Sequence, residues 1–296
     1  MNLFDKYEEA NEAAALDSSR SIFDEAVARF APKKVCVMFS GGDDSLVTLY
    51  VAKELGFKID YIIHANTGTG VKDTRDFVGA EVAKFPAAQF IETFPKKENT
   101  IEATVARAGF YRNGKKAHQM SYNNLKGKPF RAAISKHIRH RRHKYPILLL
   151  NGARKSESAR RAITCKDPYN VQKGGNVWVN LINDWSKEDC LKFLKDRGIA
   201  RNPVSIKLGR SGECNCGTTA KRSELFELRD KGYIDTYNQI KELEEIAAAA
   251  GFGWKWAQKC PRNKTREHLE AAGQLSAFMP MCTGCEFRSS SKSCDI

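Results

Sequence analysis

Residues 35–56 read VCVMFSGGDDSLVTLYVAKELG. The first six, VCVMFS (35–40), are a short apolar run of the kind shown by a strand buried on both faces. Gly41-Gly42-Asp43-Asp44 interrupts it, and SLVTLYVAKELG (45–56) continues as an amphipathic helix closed by a glycine. Two glycines between a buried strand and a helix start let the backbone come close to a ligand. The free N–H groups and positive dipole end of the helix favour an anion there. Asp44 or Ser45 can cap the helix, and Ser40 and Ser45 add hydroxyl donors. A dinucleotide fingerprint would need a third glycine in G-x-G-x-x-G spacing, and a Walker A loop a lysine after the last glycine. Neither is present. A tight turn without a ligand is the competing reading of the glycines alone.

Outward from this stretch the same alternation continues. Residues 5–30 read as a helix ended by Ala31-Pro32. IDYIIHAN (59–66), AQFIETF (88–94), YPILLLNGAR (145–154) and VWVNLIND (177–184) read as strands, and TRDFVGAEVAKF (74–85) as a helix. Strands alternating with helices predict an α/β fold, an open and mostly parallel sheet with helices on both faces. After about residue 205 the pattern turns helical, with 223–251 helical throughout, and the chain closes in a Cys- and Ser-rich segment. Three regions are expected: an N-terminal helix (1–32), an α/β domain (33–205) and a small helical Cys-rich region (206–296).

Composition excludes several classes. With 42% hydrophobic and 28% charged residues the chain is globular, not disordered. No apolar run approaches the ~20 residues of a membrane helix. The start, MNLFDKYEEANEAAALDSS, is acidic and polar, unlike a targeting peptide. A cytoplasmic protein without a membrane partner is expected. Its nine cysteines then read as thiols or metal ligands more naturally than as a disulfide framework.

The net charge of +14 is confined to one place. From Ala103 to Ser156 there is no acidic residue but fourteen basic ones, and the rest of the chain holds 35 of each sign. Phe110, Tyr111, Tyr122 and Phe130 are interleaved with these charges. Clustered Lys/Arg with aromatics is the footprint of a nucleic-acid surface, for which Arg131, Lys136, Arg139, Arg141 and Arg142 are the candidates. A solvated basic face, or a channel for a small anionic nucleotide, are the alternatives.

Cys36 lies in an apolar strand and Cys190 on an amphipathic helix, positions that suit core packing. Six of the cysteines fall late: Cys214-x-Cys216, Cys260, Cys282-x-x-Cys285 and Cys294. Four thiolates from two separated pairs, Cys214, Cys216, Cys282 and Cys285, would tie the helical tail to the sheet domain, with Cys260 as competitor for one place. The spacing leaves zinc and an iron–sulfur cluster both open.

The run Ser40-Gly41-Gly42-Asp43-Asp44-Ser45 resembles the PP-loop of ATP pyrophosphatases, Ser-Gly-Gly-x-Asp-Ser. His64-Ala65-Asn66-Thr67-Gly68, followed by Thr74, resembles the Thr-Gly nucleotide loop of the phosphoadenylyl-sulfate reductase-like branch. Gly152-Ala153-Arg154-Lys155-Ser156-Glu157-Ser158-Ala159-Arg160-Arg161 matches that branch's G-x-R-x-x-E-S-x-x-R motif at every fixed position. The stretch 180–186 with Asn202-Pro203 resembles its P-L-x-D-W-x and Asn-Pro segments. The resemblance covers roughly residues 33–216, in order.

It implies an adenine nucleotide alpha hydrolase-like fold and an ATP site at the C-terminal ends of parallel strands. The implied nucleotide ligands are Ser40, Gly41, Gly42, Asp44, Ser45, His64, Thr67, Gly68, Gly152, Arg154, Glu157, Ser158 and Arg161. Asp44, Ser45 and Arg154 are the implied catalytic groups, with Asp44 on Mg²⁺. Arg154 and Arg161 offer planar forks to phosphate, a surface ion pair being the plainer alternative. Branch members acting on activated sulfate carry a degraded glycine loop and a Glu-Cys-Gly-x-His segment. Here the loop is intact, and the end reads Lys292-Ser293-Cys294-Asp295-Ile296.

The resemblance therefore implies cleavage between the α- and β-phosphates of ATP, and tips the cysteines toward a [4Fe–4S] cluster that binds or relays sulfur. The combination resembles most the ATP pyrophosphatase components of DNA phosphorothioate modification systems. This implies DNA as partner ahead of tRNA and a cysteine desulfurase as sulfur donor, and it allows a homo-oligomer. A tRNA thiolase and a sulfonucleotide reductase are the alternatives.

Overall fold

Five apolar runs and one polar run form a single six-stranded sheet in the computed structural model of the chain, which describes residues 3–112, 114–139, 145–172 and 174–258. The strands are β1 (Lys34–Met38), β2 (Tyr61–Ala65), β3 (Gln89–Thr93), β4 (Ile147–Asn151), β5 (Tyr169–Gln172) and β6 (Asn176–Asn180). Their order across the sheet is β3-β2-β1-β4-β6-β5, and every pairing is parallel except β5 with β6. β5 is the strand with no forecast. Only Tyr169 of its four residues is buried, so it carries no apolar run to read.

The helices are α1 (Leu3–Phe30), α2 (Asp43–Glu54), α3 (Lys72–Val82), α4 (Ile101–Ala108), α5 (Lys115–Tyr122), α6 (Lys128–Ala133), α7 (Ala159–Thr164), α8 (Lys187–Asp196), α9 (Pro203–Leu208), α10 (Ser223–Asp230) and α11 (Ile234–Ala249). Alternate strand residues serve opposite faces, as the pleat requires. Val35, Val37, Leu148 and Leu150 pack with α1, α2 and α8 through Ile22, Leu46 and Phe193. Cys36, Ile147 and Leu149 pack the other way, against Phe130, Ala133, Ile134 and Ile138. The sheet thus has helices on both faces. The segment 115–138 covering the second face is one helical run with two π-helical turns, Asn123–Gly127 and Ile134–Ile138, on either side of α6.

The expected continuous helix over 223–251 is two helices. Gly232 adopts φ +88, a left-handed conformation that ends α10 and that glycine takes at little cost. α10 and α11 share a third core with Val71, Ile101, Val105 and Phe110, so the helical region is built onto α4 and the loop before α3. Cys36, Cys165 and Cys190 are all buried. Among the described residues no helix is long and apolar enough to cross a membrane.

Candidate active site

β1 is flanked by β2 on one side and β4 on the other, so the chain leaves adjacent strands β1 and β4 in opposite directions. The crevice at such a switch point is where open α/β sheets hold ligands. The glycine loop follows β1, and Gly152 and Arg154 follow β4. They meet there.

The loop is held in shape by its own hydroxyls. Ser45 Oγ donates to Gly42 O (2.9 Å) and lies 3.0 Å from Ser40 Oγ, while Ser40 N donates to Ser45 Oγ (3.2 Å). Gly41 adopts φ +78. A Cβ on Gly152 would stand 2.5 Å from the carbonyl oxygen of Asp44, so the third glycine is required by the contact between the two loops. Asn202 closes the back: Nδ2 donates to Gly41 O (2.9 Å), and Oδ1 accepts from Val204 N (2.9 Å).

The two loop carboxylates gather three cations. Arg154, 4% exposed, donates from NH2 to Asp44 Oδ2 (3.1 Å) and from NH1 to Ser156 Oγ (2.8 Å). Lys187 Nζ bridges Asp43 Oδ2 (2.9 Å) and Asp44 Oδ1 (3.3 Å). Arg201 makes a two-pronged pair with Asp43, Nε to Oδ1 at 3.0 Å and NH2 to Oδ2 at 2.8 Å. Burial works against the Asp43 carboxylate, but the hydrogen bonds from Arg201 and Lys187 outweigh it and hold its pKa below the usual carboxylate value.

A cleft of about 380 Å³ opens above these loops. Ser40, Asp44 and Ser45 border it on one side and Gly152, Glu157 and Arg161 on another; Tyr122, Lys126 and Glu213 stand across. Glu157 and Arg161 form a half-exposed ion pair at its rim (3.1 Å). Ser158 is exposed and caps α7, its hydroxyl accepting from Arg161 N (3.2 Å). His64 is buried and its Nδ1 donates to Phe39 O (2.9 Å). Buried Thr67 donates to Glu213 O (2.9 Å), and Gly68 turns at φ +74 beside it. His64 and Gly68 line a smaller pocket of about 210 Å³ that also touches Glu213.

Sequence reasoning missed Asp43, Lys187, Arg201 and the pair Lys126–Glu213 (3.0 Å). Lys187 directly follows the D-W-S stretch and Arg201 directly precedes Asn202-Pro203. Cations adjoining motif residues were the available signal.

Cys214 and Cys216 follow Glu213 on a loop pinned to the Thr-Gly loop: Asn215 N and Nδ2 donate to Thr69 Oγ1 (3.0 Å) and O (2.8 Å). Cys216 Sγ has the hydroxyls of Thr218 (3.4 Å) and Ser121 (3.5 Å) beside it, and Thr69 Oγ1 points at Cys214 Sγ (3.9 Å). The hydrogen bond from the Cys214 thiol, aided by those hydroxyls and opposed by burial, holds the Cys216 thiol below its ordinary pKa. Two neighbouring sulfurs ringed by hydroxyl donors suit metal-bound thiolates. They are half of the expected set: Cys282 and Cys285, like Cys260 and Cys294, lie outside the described residues. Among the described residues no three metal-ligating side chains converge.

The basic stretch is less uniform in space than in sequence. Lys126, Arg154 and Lys155 have acidic partners from distant segments. Arg139 turns inward to Tyr145 O (3.0 Å). Arg131 and Lys136 are exposed, while Arg141 and Arg142 lie outside the described residues. Of the interleaved aromatics, Phe110, Tyr111 and Phe130 are buried and Tyr122 is exposed on the cleft.

A doubly wound nucleotide-type α/β fold with a glycine loop, a Thr-Gly loop and an arginine loop meeting at its switch point defines the class. Residues 34–207 match the phosphoadenosine phosphosulfate reductase domain, and the chain belongs to that family. Among solved structures, phosphoadenylyl-sulfate (PAPS) reductase from Candida auris is 17% identical, covering 71% of this chain and 94% of that one, TM-score 0.46. FMN adenylyltransferase from Candida glabrata is 12% identical over 62% of this chain and 57% of that one, TM-score 0.40. U34-tRNA thiolase NcsA from Methanococcus maripaludis, with its [4Fe-4S] cluster, is 10% identical over 89% of each chain, TM-score 0.41. No curated protein gives a significant sequence match.

Proposed function

We propose that this chain is an ATP pyrophosphatase that adenylates an acceptor so that sulfur can be inserted, and that the acceptor is the DNA backbone. The observation that carries the reading is the intact glycine loop: Ser40, Gly41, Gly42 and Ser45 are preformed, and Asp44 is fixed between Arg154 and Lys187 at the mouth of the cleft. The contact of Gly152 with that loop leaves no room for a methyl group, which suits two loops clasping a polyphosphate.

In this reading an oxygen of the acceptor phosphate attacks the α-phosphorus of ATP. A bond forms between them, the α–β bond breaks and pyrophosphate leaves. A sulfur nucleophile then displaces AMP. The loop N–H groups, Ser40 and Ser45 bind the phosphates, and Arg154, Arg161 and Lys187 face the charge developing on them. Asp44 would hold Mg²⁺, which supplies further charge neutralisation to the phosphates. Cys214 and Cys216, with Cys282 and Cys285, would hold a [4Fe–4S] cluster, which when bound carries sulfur for the transfer. The proposed sulfur source is a cysteine desulfurase. The exposed Arg131 and Lys136, together with Arg141 and Arg142, are proposed to contact the DNA backbone.

Mass spectrometry of nucleosides from cells with and without the gene tests the acceptor. Sulfur-containing dinucleotides in DNA that vanish with the gene are expected. Loss of a thiolated tRNA base instead would move the same chemistry to tRNA, and no change in either would return the chain to small sulfonucleotides.

A further inference from the structure

A further cavity, about 370 Å³, lies on the other side of α5 from the cysteines. Lys116, Ala117, Met120 and Asn124 face it, while His118 and Ser121 of the same helical run face Thr218 and Cys216. One helix, of the order of 10 Å across, therefore separates this cavity from the proposed sulfur site.

Its lining is aromatic and its rim is cationic. Phe110, Tyr111 and Trp254 line it, with Met120, 49% exposed, at its edge. The wall is closely built: Gly109 turns at φ +70, and a Cβ there would stand 2.6 Å from the Trp254 ring. Arg107, Arg112 and Lys116 surround it, all exposed, and no acidic side chain lines it. Among the described residues none of the three forms an ion pair; Arg107 donates only to the backbone oxygen of Glu98 (3.3 Å). The uncharged polar side chains of the lining include Thr104 and Asn124, whose Nδ2 donates to Tyr111 Oη (3.2 Å) and whose Oδ1 accepts from Lys128 Nζ (2.8 Å).

Resting on the nucleic-acid acceptor proposed above, we propose that this cavity receives a nucleobase of the acceptor strand, with the neighbouring phosphates on Arg107, Arg112 and Lys116. An aromatic and thioether lining suits the flat face of a base. Three unpaired cations suit the flanking phosphates, and an apolar peptide would have no use for them. The second N–H of Asn124 Nδ2 can address an acceptor on a base edge. The cavity holds a base near the reacting backbone, so it would set which nucleotide is presented to the sulfur site.

The test uses the full chain and two fluorescein-labelled 12-nucleotide single strands, one of mixed sequence and one abasic throughout, with equal phosphate charge. The native protein should bind the base-bearing strand about tenfold more tightly than the abasic one. Met120→Trp, which fills the cavity, should reduce that ratio to near one while retaining binding to the abasic strand. Arg112→Glu with Lys116→Glu should weaken both strands together. Equal affinity of the native protein for the two strands, or a ratio unchanged in Met120→Trp, overturns the base site while leaving the nucleic-acid reading intact. Binding of neither strand overturns both this and the nucleic-acid acceptor.

Discussion

Two groups of cations in this molecule live in opposite surroundings. Arg154, Lys187 and Arg201 converge on Asp43 and Asp44 of the glycine loop, with fixed partners at 2.8–3.3 Å. Arg107, Arg112, Lys116, Arg131 and Lys136 stand exposed, and none has an acidic partner among the described residues. The first group is preorganised around one small volume, which suits charge that develops at a defined atom. The second offers a loose positive field, which suits a polymer whose contacts are many and individually weak. A tally of charge along the chain cannot separate them, because Arg154 belongs to the acid-free stretch and yet is the most buried of these cations.

Asp44→Ala is the harshest way to break the comparison. It leaves Arg154, 4% exposed, without its carboxylate and takes away the proposed Mg²⁺ ligand. Pyrophosphate release should fall to background, with the far-ultraviolet circular dichroism unchanged. Retained release would move the chemistry off the glycine loop. Next, Lys187→Met should lower the rate of pyrophosphate release on the order of 100-fold, the scale of a lost transition-state donor. Lys187→Arg should recover part of it, and a loss seen only in ATP affinity would reduce Lys187 to a binding role.

The exposed group should answer to salt instead of rate. Arg131→Ala with Lys136→Ala should flatten the log–log dependence of DNA binding on salt by about two units. Arg139→Ala should leave that slope alone, since its guanidinium is bonded to Tyr145 O, and lower the melting temperature. The smallest effect concerns Asp43. Its pKa is depressed in the folded state, so its contribution to stability is full above the ordinary carboxylate pKa and is lost as pH falls through the depressed one. Asp43→Asn should cost about 1 kcal/mol at pH 7, since both cations are partly exposed, and the difference from native should shrink toward pH 3. A gap that stays constant with pH would mean the ion pairs contribute nothing to stability.

The cysteines add a check independent of both groups. Anaerobically prepared protein should be brown, and Cys282→Ser should lose that colour. A colourless protein containing zinc would contradict the cluster.

Sequence made legible what is local. The buried strands announced themselves as apolar runs, and the glycine loop, the Thr-Gly loop and the arginine motif fell at strand ends. The parts that stayed hidden are contacts made across the chain. Arg201 meets Asp43 from 158 residues away, and no spacing encodes that. β5 is mostly exposed, so the hydrophobic pattern is silent there. The helical run 115–138 bends through two π turns and offers no clean period. Gly232 in DKGY was the visible stop between α10 and α11, and the high helix propensity around it masked the signal.

Pyrophosphate is the product on which the account turns. Purified protein with Mg²⁺, ATP, double-stranded DNA and sulfide as the sulfur nucleophile should yield AMP and pyrophosphate in equal amounts. ADP and orthophosphate would contradict it.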